Sequence, residues 1–277
     1  MSTKIWFITG VSTGLGKALA DVALASGDIV VGTLRKQDDA TAFSQTVAGK
    51  SHGVLLDVTN ESAIEPLIAQ IEKNVGPIDV LVNNAGYGHE GLVEESSMAE
   101  FRSQFEVNFF GAVALTKAVL PRMRQRRAGR IINITSMGGF ITMPGIAVYH
   151  ASKFALEGFS ESLGKEVKHL GIHVTAVAPG SFRTDWAGRS MVRAPRSIAD
   201  YDEVMNPIRE RRQKVSGHQL GDPNKAAQAI LKLAESRTPP AHLLLGSDAF
   251  KLAGEKLAFL QTEFDDWKAL TLSTDFS

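Results

Sequence analysis

Ile5-Trp6-Phe7-Ile8-Thr9-Gly10-Val11-Ser12-Thr13-Gly14-Leu15-Gly16 decides how the rest of the chain reads. Four consecutive apolar residues suit a short strand buried on both faces. The glycines after them suit a tight turn, and the apolar spacing of residues 15–26 predicts a helix. Such a junction can hold a phosphate-bearing ligand. Glycine lets backbone approach a pyrophosphate, while the helix N-terminus adds amide donors and the positive end of its dipole. The spacing is Gly10-x3-Gly14-x-Gly16 rather than Gly-x-Gly-x-x-Gly. A lone glycine turn can be only a turn; the strand before it and the helix after it favour the ligand site.

The same rhythm continues outward. Apolar runs predict strands at residues 29–34, 53–56, 80–82, 130–134, 173–178 and 243–245. Amphipathic spacing predicts helices at 62–74, 98–124, 151–170, 223–236 and 249–260. Continuous rather than alternating apolar runs predict an α/β, doubly wound parallel sheet with helices on both faces. Right-handed crossovers then bring all strand C-termini to one edge, where ligands bind. No linker divides the 277 residues, so one domain over 1–277 is expected. The rhythm breaks at about 183–222, a charged stretch with Pro195 and Pro207 and no clear strand. It is a candidate substrate lid. The tail from about Thr262 reads as a polar and aromatic appendage.

Composition excludes several functions. Lys plus Arg and Asp plus Glu number 30 each, so no global field points to nucleic acid or an acidic membrane. The basic run at 122–127 reads as a solvated helix end, where cations suit the dipole. No cysteine is present, which removes disulfides and thiol chemistry. The histidines are scattered; His169 and His173 have a glycine between them, and no metal site is expected. The first residues lack the pattern of a signal peptide, and no run approaches the roughly 20 apolar residues of a bilayer span. A cytoplasmic protein is expected.

The chemistry concentrates at Tyr149 and Lys153, thirteen and seventeen residues after Ser136. On a helix, i and i+4 share a face, which places a phenol beside an ammonium. A nearby cation favours phenolate, so a lowered phenol pKa is expected, suited to proton exchange near neutral pH. The end of the second predicted strand reads Thr33-Leu34-Arg35-Lys36, with no acid before Asp38. An acid there would suit the ribose of NAD; an arginine suits the 2′-phosphate of NADP. NADP is expected, with Arg35 as its phosphate contact and Ser12 or Thr13 assisting. NAD is the alternative, with Asp38 folding back to the ribose.

Thr9-x4-Gly14-x-Gly16, Asn83-Asn84-Ala85-Gly86, Asn108, Ser136, Tyr149-x3-Lys153 and Pro179-Gly180 followed by Thr184 occur in one order. Together they resemble the short-chain dehydrogenase/reductase family, in its compact single-domain branch with a Rossmann-like sheet. The resemblance implies Tyr149 as general acid/base and Ser136 as hydrogen-bond partner of the reacting oxygen. It implies Lys153 on Tyr149 and the nicotinamide ribose, and Asn108 on a proton-relay water. The cofactor contacts it implies are Gly10, Ser12, Thr13, Gly14, Leu15 and Gly16 in the loop. Arg35, Asp57, Val58, Asn84, Ala85 and Gly86 follow toward the adenosine, with Tyr149, Lys153, Pro179, Gly180 and Thr184 around the nicotinamide.

The implied activity is hydride transfer between NADP(H) and a hydroxyl or carbonyl carbon of a hydrophobic small molecule. Met137, Phe140, Ile141, Met143, Pro144, Phe182 and Trp186 are the expected pocket walls, with His89 the histidine placed to touch substrate. A non-catalytic cofactor sensor or scaffold, or a sugar epimerase or dehydratase, are the other readings. The retained Tyr/Lys pair opposes the first; the opening motif and the length oppose the second. A homo-oligomer, dimer or tetramer, is expected through the two long helices.

Overall fold

The computed structural model describes residues 3–188, 190–215 and 217–276. Its strands are β1 (Ile5–Ile8), β2 (Ile29–Leu34), β3 (Ser51–Leu55), β4 (Val80–Asn83), β5 (Gly88–Glu90), β6 (Gly129–Ile134), β7 (Ile172–Pro179), β8 (Met191–Arg193) and β9 (His242–Leu245). Its helices are α1 (Gly14–Ala25), α2 (Gln37–Ser44), α3 (Glu61–Asn74), α4 (Met98–Phe105), α5 (Gly111–Arg126), α6 (Ala147–Val167), α7 (Asp202–Val215), α8 (Pro223–Glu235), α9 (Ser247–Asp266) and α10 (Lys268–Leu272). Seven strands form one sheet in the order β3-β2-β1-β4-β6-β7-β9, every pair parallel. The expected doubly wound Rossmann-like architecture is what forms.

Each face of the sheet has its own core, because successive strand residues point to opposite sides. Trp6 and Ile8 face α1 and α8, with Leu19, Ala23, Ile230 and Leu233. Phe7 faces the other way, toward Ile64 and Ile68 of α3, Leu115 and Val119 of α5, and Leu163 of α6. Trp6, Phe7 and Ile8 are wholly buried. Burying such a side chain contributes about 1.5–3 kcal/mol. The Trp6 indole donates to Asp28 at 2.8 Å, which removes the cost of hiding its N–H. Strand order reverses between β1 and β4, so the loops after these strands diverge and leave a crevice.

The departures from expectation have physical causes. The helix expected over 98–124 is interrupted by a π turn, Glu106–Phe110. Helix α6 begins at Ala147, so Tyr149 and Lys153 lie in its first two turns. Helix α2 has only Ala40 buried and therefore no apolar stripe to read. Where no strand is expected, β8 pairs with β5 as a separate two-stranded parallel sheet. The tail after Thr262 is helical and exposed: α9 runs on to Asp266, and α10 follows.

The stretch 183–222, in which Arg189 and Ser216 lie outside the described residues, is tied down by buried carboxylates. Glu95 accepts from the Ser197 and Ile198 amides at 2.8 and 3.0 Å. Glu90 meets Arg193 at 3.3 Å and Arg212 at 3.2 Å. Arg212 also donates to the Pro144 carbonyl at 2.7 Å. These contacts hold α7 over the loops after β4 and β6.

Candidate active site

The glycine loop sits between β1 and α1. Gly10 and Gly14 have φ of 73° and 62°, a region that disfavours residues with a Cβ. Thr13 occupies the N-cap of α1 without a capping side-chain bond, so the first-turn amides keep their donor capacity. Asn84 braces the loop from β4: its amide donates to the Thr9 and Gly10 carbonyls at 2.8 and 3.1 Å. Thr9 Oγ1 accepts the Asn84 and Ala85 amides at 2.9 and 2.8 Å. Thr184 approaches from the far side; a Cβ on Gly14 would lie 3.6 Å from its Cβ. Asp248, at the start of α9, accepts from the Ser181 amide at 2.7 Å and shapes the turn through Pro179 and Gly180.

Arg35 is exposed just past β2, and its charge acts on Asp57 past β3. Bonds from the Thr59 amide and hydroxyl, then Arg35, hold the Asp57 carboxyl below its usual range. Asp38 is fixed in the first turn of α2. Val58 is buried against Gly111 of α5.

Beyond the crevice lie the four polar residues read as catalytic. Ser136 caps the short 3-10 turn Met137–Gly139, and its Oγ accepts the Gly138 amide at 3.0 Å. Tyr149 is 6% exposed, with the Trp186 ring 5.0 Å from its own. Lys153 Nζ donates to the Ile134 carbonyl at 2.9 Å and lies 5.8 Å from the Tyr149 ring centre. Asn108 sits in the π turn. Its oxygen accepts the Tyr87 amide, and its nitrogen donates to the Tyr87 carbonyl, both at 3.1 Å. A further 3.2 Å bond joins it to Ser152 Oγ, which donates to the Tyr149 carbonyl. Gly86 lies against both: a Cβ there would be 3.1 Å from Asn108 Oδ1 and 3.7 Å from Lys153 Nζ.

The electrostatics differ from the expectation of a lowered phenol pKa. Burial pushes Tyr149 up to about 12, and its hydrogen bond with Ser136 offsets only part of that. Burial also takes Lys153 down to about 8, against the opposing charge of Glu157. Desolvation by the closed protein wall is the larger cause of both shifts.

Glu157 was not legible as part of this cluster. It lies one turn beyond Lys153, buried, and takes bonds from Thr135 Oγ1 and from His242 at 2.8 Å. Burial raises its pKa, with Thr135, His242 and Lys153 pulling it back. The i+4 spacing from Lys153 was the available signal.

The expected pocket walls divide. Met143 and Pro144 line an open apolar pocket of about 580 Å³ with Ala147, His150, Ala151 and Phe154. Trp186 covers Tyr149. Phe140 instead meets His242 edge to face, ring centres 5.7 Å apart, and Phe182 packs on the α1–α8 core. His89 is 1% exposed, its ring 3.4 Å from Glu100. His150 ties the 3-10 turn to α6, accepting the Met143 amide at 2.9 Å and meeting the Gly138 carbonyl at 2.8 Å. Among the described residues no group of three or more His, Asp or Glu could hold a metal ion. Nor is any helix there long and apolar enough to cross a membrane.

A family model described as short chain dehydrogenase matches residues 4–193. The chain belongs to the short-chain dehydrogenase family. An oxidoreductase of Botryotinia fuckeliana is 39% identical over 274 residues, covering 98% of this chain and 99% of that protein. A 3-ketodihydrosphingosine reductase of Bacteroides thetaiotaomicron is 38% identical over 250 residues, 89% of each. The crystal structure of a short-chain dehydrogenase from Streptomyces avermitilis superposes with a TM-score of 0.92 at 38% identity, covering 99% of this chain and all of that one. The chain is thus a short-chain dehydrogenase/reductase, an oxidoreductase of a family that binds NAD(P) and acts on small molecules.

Proposed function

We propose that this short-chain dehydrogenase reduces a hydrophobic ketone with NADPH, or runs the reverse oxidation, using Tyr149 as proton donor and acceptor. The observation that carries the reading is the meeting of Tyr149, Lys153, Ser136 and Asn108 beside the glycine loop. The crevice suits the cofactor. Positive-φ glycines and the uncapped start of α1 fit a pyrophosphate, and Arg35 fits a 2′-phosphate. Leu15 and Gly16 continue that cradle, with Ser12 and Thr13 at its rim. Pro179, Gly180 and Thr184 fit the nicotinamide side. Bound there, NADP(H) supplies or accepts the hydride.

The chain's own residues do the rest. Ser136 and Tyr149 donate hydrogen bonds to the carbonyl oxygen as negative charge develops on it. Tyr149 gives up its proton, and Lys153 stabilises the phenolate that results. Asn108 holds α6 against the loop after β4 and leads the proton path away from Lys153. Trp186 and the α7 stretch exclude water, acting as a lid. The apolar pocket beside Met143 and Phe154 suits a hydrocarbon chain, and the relative named for 3-ketodihydrosphingosine supports a long-chain ketone. A panel of long-chain ketones and 3-oxoacyl thioesters, assayed with NADPH and NADH, tests this. Turnover of none of them with either cofactor, by folded protein, would overturn it.

Arg35→Ser should weaken NADPH binding roughly ten- to a hundredfold, the scale of a charged hydrogen bond, and leave NADH nearly unchanged. Fluorescence titration measures both. The rate should also depend on pH. Tyr149, at about 12, stays protonated through neutral pH, whereas Lys153 loses its charge as pH rises through about 8. The kcat/KM for reduction should therefore hold below about 8 and fall above it. Glu157→Gln removes the charge that favours protonated Lys153, so the fall should begin at lower pH. An inflection that stays in place would separate Glu157 from Lys153.

A further inference from the structure

Lys153 is the inner end of a row. Lys153, Glu157, Glu161 and Lys165 recur every four residues along α6. That interval keeps neighbours on one face of a helix. The row starts buried, at Lys153 and Glu157, and ends exposed, at Glu161 and Lys165. His242, the first residue of β9, enters between the two acids. Its Nδ1 lies 2.8 Å from Glu157 and its Nε2 3.7 Å from Glu161.

Three groups converge on the Glu157 carboxylate. The Val177 carbonyl already takes the Thr135 amide at 2.7 Å, so the Thr135 hydroxyl is free to serve Glu157. His242 supplies the second bond. The charge of Lys153 acts from one turn back. A buried carboxylate keeps its charge only with such compensation. His242 is the member of the three that reaches the surface, with a third of its side chain exposed. Its edge-to-face contact with Phe140 fixes the ring.

The same carboxylate supports the turn that carries Ser136. Thr135 is the residue before Ser136. A Cβ on Gly139 would stand 2.8 Å from Glu157 Cγ and 3.1 Å from the Lys153 carbonyl oxygen. The charges facing the His242–Glu157 pair come from α6: Lys153 on Glu157, and Glu161 with Lys165 bound to it at 2.6 Å. Strand β7 sets Ala176 opposite His242, and α9, also packed on β9, buries Ala249 and Ala253.

We propose that His242 is a positioning residue for Lys153, acting through the buried carboxylate of Glu157. It keeps that carboxylate ionised and in place, and the carboxylate in turn favours the charged form of Lys153. The proposal rests on the reading of Lys153 as the partner of Tyr149. It adds a residue from the edge strand of the sheet, outside the crevice.

The pH at which kcat/KM falls tests it, in the parent, Glu157→Gln, His242→Leu, His242→Asn and the double variant His242→Leu/Glu157→Gln. Glu157→Gln should bring the fall down by roughly one pH unit or more, the scale of a lost neighbouring charge. His242→Leu should bring it part of the way. His242→Asn returns an amide donor near the place of Nδ1 and should restore most of the parent's value. The double variant should go no lower than Glu157→Gln, because a residue that acts through another adds nothing once that other is gone. A merely structural His242 would lower the rate at every pH and leave the inflection in place, which overturns the proposal. Two shifts that simply add overturn it as well.

The Lys153 side-chain carbon resonance of lysine-labelled protein, assigned with Lys153→Arg, gives the same titration without turnover. A titration that shifts as expected in protein that reduces no ketone keeps this proposal and removes the catalytic reading. The parent alone also suffices, should His242→Leu not fold. Its Lys153 resonance should carry a second step at the pH where the His242 ring signals titrate. A Lys153 resonance blind to that event rules His242 out.

Discussion

Tyr149→Phe should lower kcat for ketone reduction about 10²- to 10⁴-fold, the range that a positioned acid supplies. The substitution deletes one oxygen and keeps the ring. That ring is 6% exposed and packs against Trp186, so the wall it forms remains. The lost hydroxyl gives up its bond with Ser136, worth on the order of 1 kcal/mol. Melting temperature should therefore move by only a few degrees, and NADPH should still bind within a few-fold. Stopped-flow or steady-state reduction assays, beside a fluorescence titration, separate the two effects. A Tyr149→Phe variant that reduces ketone at the parent rate ends the assignment of Tyr149 as proton donor.

The second large effect is expected at Gly16. A Cβ there would stand 2.2 Å from the Gly10 carbonyl oxygen and 2.3 Å from Asn84 Nδ2. Neither neighbour can yield cheaply. Asn84 Nδ2 is held by the Thr9 and Gly10 carbonyls, and the Gly10 backbone forms the loop itself. Gly16→Ala must push α1 off the loop or break those two bonds. Overpacking and the lost bonds together should cost about 2–4 kcal/mol. For a domain of this size that lowers the melting temperature by roughly 5–15 °C. NADPH affinity should fall at least about tenfold, because the displaced amides are the proposed phosphate donors. Gly158→Ala is the matched control. It also lies inside a helix, but nothing stands within 4 Å of the new Cβ. It should be neutral or gain about 0.5–1 kcal/mol.

What could be read from the chain follows from how local the cause was. The strand at Ile5–Ile8 and the glycine turn are written in twelve consecutive residues. The Tyr149/Lys153 relation needs only the pitch of one helix. By contrast, the π turn at Asn108 is set by bonds to Tyr87, 21 residues away. Strands β5 and β8 are three residues each and meet across about a hundred positions, beyond any periodic signal. The direction of Phe140 and Phe182 was open for the same reason, since an apolar residue near a pocket can as well face the core. The shifted pKa values differ for another reason: the pair's spacing is local, but the depth of burial is a property of the whole fold. The helical tail escapes a reading by core-facing stripes because residues 261–276 are all exposed and turn no stripe toward the core.

The brace from Asn84 to Thr9 and Gly10 has a consequence for how the protein is made. It joins positions about 75 residues apart, and β1 reaches its neighbour β4 only across β2, β3 and the helices between. No hairpin shortens that span, since every pairing in the main sheet is parallel. On a ribosome, β1 and the residues after it emerge before β4 and must wait for it before the glycine loop has its final shape. Such distant closures make folding slow and leave Trp6, Phe7 and Ile8 uncovered meanwhile. Synthesis slowed once β4 has left the ribosome should therefore raise the folded yield more than slowing during α9.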